Sequence, residues 1–467
     1  MNHTIMNKVL FFFTIFLLSI NLYPQQINGS WKGSLDIKGA SLRIVFNIKK
    51  TGSIYESTMD SPDQGAYDIS TTSTEYSEGK LEIIAKGLGL HYRGDLKNDS
   101  IIGTFKQGAM SMPLNLTRSA EPIITRPQTP LEPLQYVSEL VKLTSKDGNH
   151  TISGTLTRPH GDGVFPAIVL IAGSGPNDRD ETFFGHKPFL VISDHLTKNG
   201  YAVFRYDKRG VKSSTGNFAQ STINDFARDA AMAVEYLKER KDIDSNKIGL
   251  LGHSEGGLVA SMVAADNNDI SFVVLMASPG IKGIEIILDQ NELSMTNLRL
   301  EPDVIEEVQE VNKEMFTRLI KWNCNKIDST ELQQKLLDLW EILPSPIRSS
   351  VDKDSYLRSQ YNAMITPGYR SFLSSNPALI LQNVKCPVLA INGKLDSQVA
   401  AAKNLNSINE ALRKGGNKNS ETKIYANLNH LFQESITGLV TEYAKIEQTI
   451  SPEVLSDITN WLNKQVK

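Results

Sequence analysis

Residues 247–260 read Lys247-Ile248-Gly249-Leu250-Leu251-Gly252-His253-Ser254-Glu255-Gly256-Gly257-Leu258-Val259-Ala260. The opening residues form an apolar run of the kind a strand buried on both faces requires. The closing residues are small and apolar and suit a helix. Between them stands Gly-x-Ser-x-Gly, in the strand–turn–helix context of a nucleophile elbow. Such a sharp turn lifts a serine above the C-terminal end of its strand. Gly252, Gly256 and Gly257 let neighbouring backbone approach closely. The helix N-terminus behind the turn directs its free N–H groups towards the same point. Ser254 is therefore the expected nucleophile.

A serine hydroxyl attacks poorly at neutral pH unless a base takes its proton. Behind an elbow of this kind the chain order is serine, then acid, then histidine. The histidines are His3, His91, His150, His160, His186, His195, His253 and His430. Only His430 follows Ser254, so His430 is the expected base. It lies in Asn427-Leu428-Asn429-His430-Leu431-Phe432, just after a strand expected to end near Ala426. The acid should follow the preceding strand. Residues 387–392 (PVLAIN) supply that strand, and Gly393-Lys394-Leu395-Asp396 follows it. Asp396 is thus expected to fix the imidazole tautomer and stabilise the imidazolium. An oxyanion hole needs two preorganised N–H donors, each worth about 3 kcal/mol. Glu255, the residue after the nucleophile, supplies one. Gly173-Ser174-Gly175-Pro176, after the apolar run 167–172 (AIVLIA), supplies the other, from Ser174 or alternatively Gly175. Activity is expected to fall as His430 takes up a proton on acidification.

Outward from the elbow, strand and helix patterns alternate. Residues 136–143 and 152–158 suit a hairpin, and 201–206 a further strand. Residues 189–198 and 223–240 suit helices, the second with Phe226, Ala230, Ala233, Val234 and Leu237 at helical spacing. This alternation predicts a mostly parallel sheet covered by helices on both faces. It stops near Ile281 and resumes at 387–392, followed by a helix near 400–412, a strand at 422–426 and a helix near 452–464. The interruption, about 281–383, is expected to be a helical cap over the site, inside a domain spanning 136–467.

Residues 26–120 carry short strand-like runs at 41–48, 81–85, 101–105 and 112–116, separated by turn residues. They predict a small all-β barrel or sandwich. Its opening, Gly29-Ser30-Trp31-Lys32-Gly33, resembles the first strand of lipocalin-like barrels. Pro122, Pro127, Pro130 and Pro133 mark residues 121–135 as an extended, semi-rigid linker. Residues 1–25 suit a signal peptide: Lys8 precedes an apolar run at 9–20 that is short for a membrane span. Cleavage before Gln25 or Gln26, export to the periplasm or medium, and no integral span in the mature chain are expected. Cys324 and Cys386 are too few for a disulfide framework and are expected as unpaired thiols, with pairing outside the cytosol as the alternative. A formal net charge of −3 over 467 residues argues against nucleic acid as a partner. No Cys/His spacing suggests zinc, and the expected chemistry requires no metal or organic cofactor.

Four stretches together resemble the bacterial esterase and serine-aminopeptidase-like branch of the α/β-hydrolases. They are Gly173-Ser174-Gly175-Pro176-Asn177-Asp178-Arg179-Asp180, Arg205-Tyr206-Asp207-Lys208-Arg209-Gly210, residues 252–257, and Asn429-His430. The resemblance implies an α/β-hydrolase domain that cleaves a small-molecule ester or peptide-like substrate. Val211-Lys212-Ser213-Ser214 departs from the branch, where Gly tends to follow the Val, and a local loop change is expected there. Asp178, Arg179, Asp180, Asp207 and Arg209 either line the substrate entrance or brace the loops as ion pairs. Carboxylic ester hydrolysis through an acyl-enzyme is the expected activity. Aminopeptidase action is the alternative, and would need cap acids such as Glu285, Asp289, Glu292 or Glu301 around a substrate amine. A non-catalytic glycan- or partner-binding role is the second alternative.

Overall fold

The computed structural model describes residues 27–37, 40–64, 66–108, 110–119, 125–321, 329–350 and 352–466. The expected signal segment and Cys324 lie outside the described residues. The chain divides into two compact units, one ending at Ile123 and the other beginning at Ile124.

The first unit is all-β. Its strands are β1 (Gly29–Ile37), β2 (Ala40–Thr51), β3 (Ile54–Ser61), β4 (Ala66–Ser70), β5 (Ser73–Ser77), β6 (Lys80–Ala85), β7 (Leu90–Lys97), β8 (Ser100–Gln107), β9 (Met110–Pro113) and β10 (Leu116–Arg118). All neighbours run antiparallel, and β10 pairs with both β1 and β8, which closes the sheet into a barrel. Closure removes the exposed edges that an open sheet would leave. The interior is filled by Trp31, Phe46, Ile83, Tyr92, Ile101 and Phe105, all buried. Gly33 is required by space: a Cβ there would sit 2.4 Å from the Asn115 carbonyl oxygen. Of the two all-β forms expected, the barrel is the one found.

The second unit holds β11 (Val137–Thr144), β12 (Thr151–Arg158), β13 (Phe165–Ile171), α1 (Pro188–Lys198), β14 (Ala202–Tyr206), α2 (Ile223–Lys238), β15 (Ile243–His253), α3 (Glu255–Asp266) and β16 (Val273–Met276). Its strand order is β11-β12-β14-β13-β15-β16, continued by β17 (Val388–Gly393) and β18 (Ser420–Tyr425). Only the pairs made by β12 are antiparallel. This is the mostly parallel sheet that the α/β-hydrolase resemblance implies. Alternate residues of the central strands feed opposite layers. Val169 and Leu250 pack on one face with Ala233, Leu237 and Val259. Leu170 and Leu251 pack on the other with Phe189, Ile192, Ile458 and Trp461. Helix α2 begins with a reciprocal cap in which the Thr222 side chain accepts from the Asp225 N–H and the Asp225 carboxylate accepts from the Thr222 N–H. That satisfies two of the orphan donors at the helix start.

Between β16 and β17 stand α4 (Gly283–Asn297), α5 (Pro302–Lys321), α6 (Ser329–Ile342), α7 (Ser345–Ser350), α8 (Lys353–Met364), α9 (Pro367–Leu373) and α10 (Pro377–Leu381). They share a core of their own around Met315, Phe316, Leu319, Leu336 and Leu373. The domain ends with α11 (Ala401–Lys414), α12 (Val440–Tyr443) and α13 (Pro452–Val466).

The proline-dense segment is not free of this domain from Thr125 onward. The Arg126 guanidinium donates to the carbonyls of Phe184, Ala444 and Ile446 at 2.9–3.0 Å. Gln128 pairs with the backbone of Thr449 and Ile450. Beneath them His186 is fully buried, its ring facing the Tyr443 carbonyl and the Thr449 hydroxyl. Burial, helped by the nearby Arg126 charge, lowers its pKa to about 4. The unfolded chain therefore binds a proton at His186 that the folded chain refuses between about pH 6.5 and 4. Stability supplied by this site is complete above pH 6.5 and is lost as pH falls to 4. We expect a steep drop in thermal midpoint over that window, flattened in a His186→Gln variant; parallel slopes in the two proteins would refute it.

Candidate active site

The elbow is strained in the way its function in such sheets demands. Ser254 sits between β15 and α3 at φ 53° and ψ −124°, a region that costs a non-glycine residue about 1–3 kcal/mol. Its N–H donates to the Met276 carbonyl of the adjacent strand at 2.8 Å. The glycines around it have no room for a side chain. A Cβ on Gly252 would lie 2.1 Å from the Gly256 carbonyl oxygen, and one on Gly256 would lie 1.9 Å from that of Ile171. Helix α3 starts at Glu255, directly after the serine. The N–H of Glu255 is thus a free donor of the first helical turn.

The acid and the histidine come from the loops after β17 and β18. A Cβ on Gly393 would lie 2.1 Å from the Leu428 carbonyl oxygen, so these loops run in direct contact. Asp396 is buried, and its Oδ1 accepts from the N–H groups of Gln398 and Val399 at 2.7 and 2.8 Å. Its Oδ2 lies 2.7 Å from Nδ1 of His430. A carboxylate there makes Nδ1 the protonated nitrogen and leaves Nε2 as a base. Asn429 braces the same loop by accepting from the N–H groups of Leu431 and Gln433.

Ser254 and His430 line one cavity of about 530 Å³. The hydrogen bond between such a serine and its base commonly tightens only when substrate arrives. Gly173, Ser174, Gly175 and Glu255 line the cavity as well. The loop after β13 runs against Ser254, since a Cβ on Gly173 would be 3.1 Å from that of Ser254. The Gly173 N–H is taken by Glu181 Oε1 at 2.6 Å. The hydroxyl of Ser174 bridges to Glu255 Oε2 at 3.3 Å. All five residues singled out from the sequence therefore meet at one edge of the sheet. Phe218, Phe226 and Val399 and the cap residues Ile286, Tyr369 and Phe372 line the cavity too.

Behind Ser254 lies a buried polar layer that the sequence reading missed. His253 donates from Nδ1 to Glu181 at 2.9 Å and from Nε2 to the His430 carbonyl at 3.0 Å. A carboxylate and a carbonyl both accept, so the site favours the doubly protonated ring. Burial opposes that charge, but Glu181 outweighs it and the pKa of His253 lies above the ordinary histidine value. The residue that looks like filler in Gly-x-Ser-x-Gly thus holds the backbone of His430. Lys208, also buried, reaches Glu255 Oε1 at 3.1 Å. The only sequence signal for it was its place in Asp207-Lys208-Arg209, at the end of a fully buried strand.

The other charged residues on this edge brace the loops. Arg179 grips Asp207 with two nitrogens, Arg205 pairs with Asp180, and Arg209 pairs with Asp225 and Asp229. None of Asp178, Arg179, Asp180, Asp207 and Arg209 lines the cavity. Lys212 occupies the position where the resembling branch has Gly, yet it adopts φ 48°. That is a left-handed conformation, which costs a non-glycine residue local strain.

A family model described as "Serine aminopeptidase, S33" matches residues 189–322. Esterase EstD of Thermotoga maritima is 28% identical over 317 residues, covering 67% of this chain and 66% of the relative. Dipeptidyl-peptidase 5 of Porphyromonas gingivalis is 23% identical over 221 residues, covering 44% of this chain and 31% of the relative. The chain thus spans less than two thirds of the length of either relative. The Pyrococcus furiosus esterase Pf2001 is 18% identical with a TM-score of 0.43, over 71% of this chain and 92% of that structure.

Proposed function

We propose that this chain, an α/β-hydrolase similar to the esterase and serine-aminopeptidase-like branch, cleaves carboxylic esters through an acyl-enzyme on Ser254. The observation that carries the reading is the buried 2.7 Å pair of His430 and Asp396 on the cavity that Ser254 lines. Ser254 Oγ attacks the ester carbonyl while Nε2 of His430 takes its proton. The N–H groups of Glu255 and Ser174 receive the oxyanion. Its collapse expels the alcohol, which takes the proton from His430. Water, activated by the same nitrogen, then releases the acid and frees Ser254.

The chemistry of the cavity supports an uncharged, apolar ester over a peptide amine. An aminopeptidase site needs a carboxylate free to hold an ammonium. Among the described residues, the carboxylates lining the cavity are Glu181 and Glu255, engaged by His253 and Lys208. Glu285, Asp289, Glu292 and Glu301 do not line it, and Asp289 pairs with Lys403 at 2.7 Å. The test is a substrate panel on the mature protein. Hydrolysis of p-nitrophenyl acetate and butyrate is expected, with no release from aminoacyl-p-nitroanilides. The reverse pattern would replace the ester reading with the aminopeptidase one. Export of the mature chain is part of the proposal and rests on the apolar run at 9–20.

A further inference from the structure

We infer that Lys208 is a positioning residue for the oxyanion hole, aiming and strengthening the Ser174 N–H through the peptide that carries it. The inference rests on the ester-hydrolase reading of Ser254. Lys208 follows β14 and its ammonium is buried. It donates to the Gly173 carbonyl and to Glu255 Oε1, and it stands 4.6 Å from the centre of the Phe226 ring. The Gly173 carbonyl and the Ser174 N–H belong to one planar peptide and point in opposite directions. Holding the oxygen therefore fixes where the hydrogen points. Asn177 adds a second grip, donating from its amide to the same oxygen at 2.7 Å.

The grip also changes the strength of the donor. A carbonyl that accepts from a cation in a water-poor site is polarised, and the N–H of the same peptide becomes a better donor. Preorganised donors of this kind act on charge that exists only in the transition state. The same ammonium pairs with the Glu255 carboxylate, and Ser174 Oγ donates to the other oxygen of that carboxylate. Both residues that supply the oxyanion donors are thereby tied to one buried cation. Partnering Glu255 alone would explain the ion pair but not the bond to the Gly173 carbonyl.

The two roles separate in a pair of variants. Lys208→Met leaves the Glu255 carboxylate buried without its partner. Lys208→Met with Glu255→Gln removes that charge and preserves the fold, but it still takes the cation off the Gly173 carbonyl and leaves Asn177 as the donor to that oxygen. On p-nitrophenyl butyrate we expect the double variant to keep the wild-type melting temperature and KM and to lose kcat by about 10- to 100-fold. A trifluoromethyl ketone supplies the second readout. Ser254 Oγ bonds to its carbonyl carbon, the serine proton passes to His430, and the hemiketal oxyanion occupies the hole. Its inhibition constant should weaken by the same factor as kcat/KM. A double variant with wild-type kcat, or with an unchanged inhibition constant, overturns the inference while leaving the ester reading intact. A wild-type protein without esterase activity overturns the ester reading itself, and this inference with it.

Discussion

Ser254→Ala is expected to lower kcat for p-nitrophenyl butyrate by about 10⁵- to 10⁶-fold, because loss of the nucleophile removes the covalent route altogether. The variant should fold as the wild type does. Alanine keeps the Cβ, the N–H bond to Met276 is a backbone bond, and the strained φ of 53° is paid for by the surrounding glycines in either case. Residual rate above that of water would come from the oxyanion donors and substrate binding. The measurement pairs steady-state kinetics with labelling by a fluorophosphonate. Labelling of the wild type but not of the variant identifies the nucleophile. A wild-type protein that takes no label would favour a non-catalytic binding role.

The second large effect is expected from Asp396→Asn, with kcat lower by about 10⁴-fold and KM little changed. The reason lies in how the side chain is held. Oδ1 accepts from the N–H groups of Gln398 and Val399. In the variant, the amide oxygen satisfies those two donors, so the NH₂ faces His430. Nδ1 of His430 must then accept, its proton moves to Nε2, and an N–H points at the serine in place of a lone pair. The fold is kept and the base is lost. A variant within tenfold of wild-type kcat would remove Asp396 from the mechanism.

Much of this site is legible in the sequence, for physical reasons that can be named. Gly252 and Gly256 could be read because close backbone contacts exclude every other residue, and Gly257 because a side chain there would collide with Ser278. His430 followed from chain order alone, since the other histidines precede or adjoin Ser254. Asp396 followed from its place after PVLAIN, a run that only a strand buried on both faces explains. The cap announced itself as an interruption in the strand–helix alternation. Its acids, by contrast, could not be assigned. Helical patterns give which residues share a stripe, but not which stripe meets the site. Glu285 and Asp289 lie on the helix that supplies Ile286 to the cavity wall, and neither reaches it.

By itself, then, the sequence indicated an all-β unit followed by a mostly parallel, helix-covered sheet, and it singled out Ser254, His430 and Asp396. Those follow from local regularities: hydrophobic period, glycine at close contacts, and order along the chain. Only the tertiary structure decided what stands behind Ser254. His253 finds Glu181 from 72 positions away, and Lys208 finds Glu255 from 47 positions away. A buried charge must have a partner, and no local pattern says which one. That choice is made when strands β13, β14 and β15 come side by side, and it places His253 against Glu181 and the His430 carbonyl, and Lys208 against Glu255 and the Gly173 carbonyl, around Ser254.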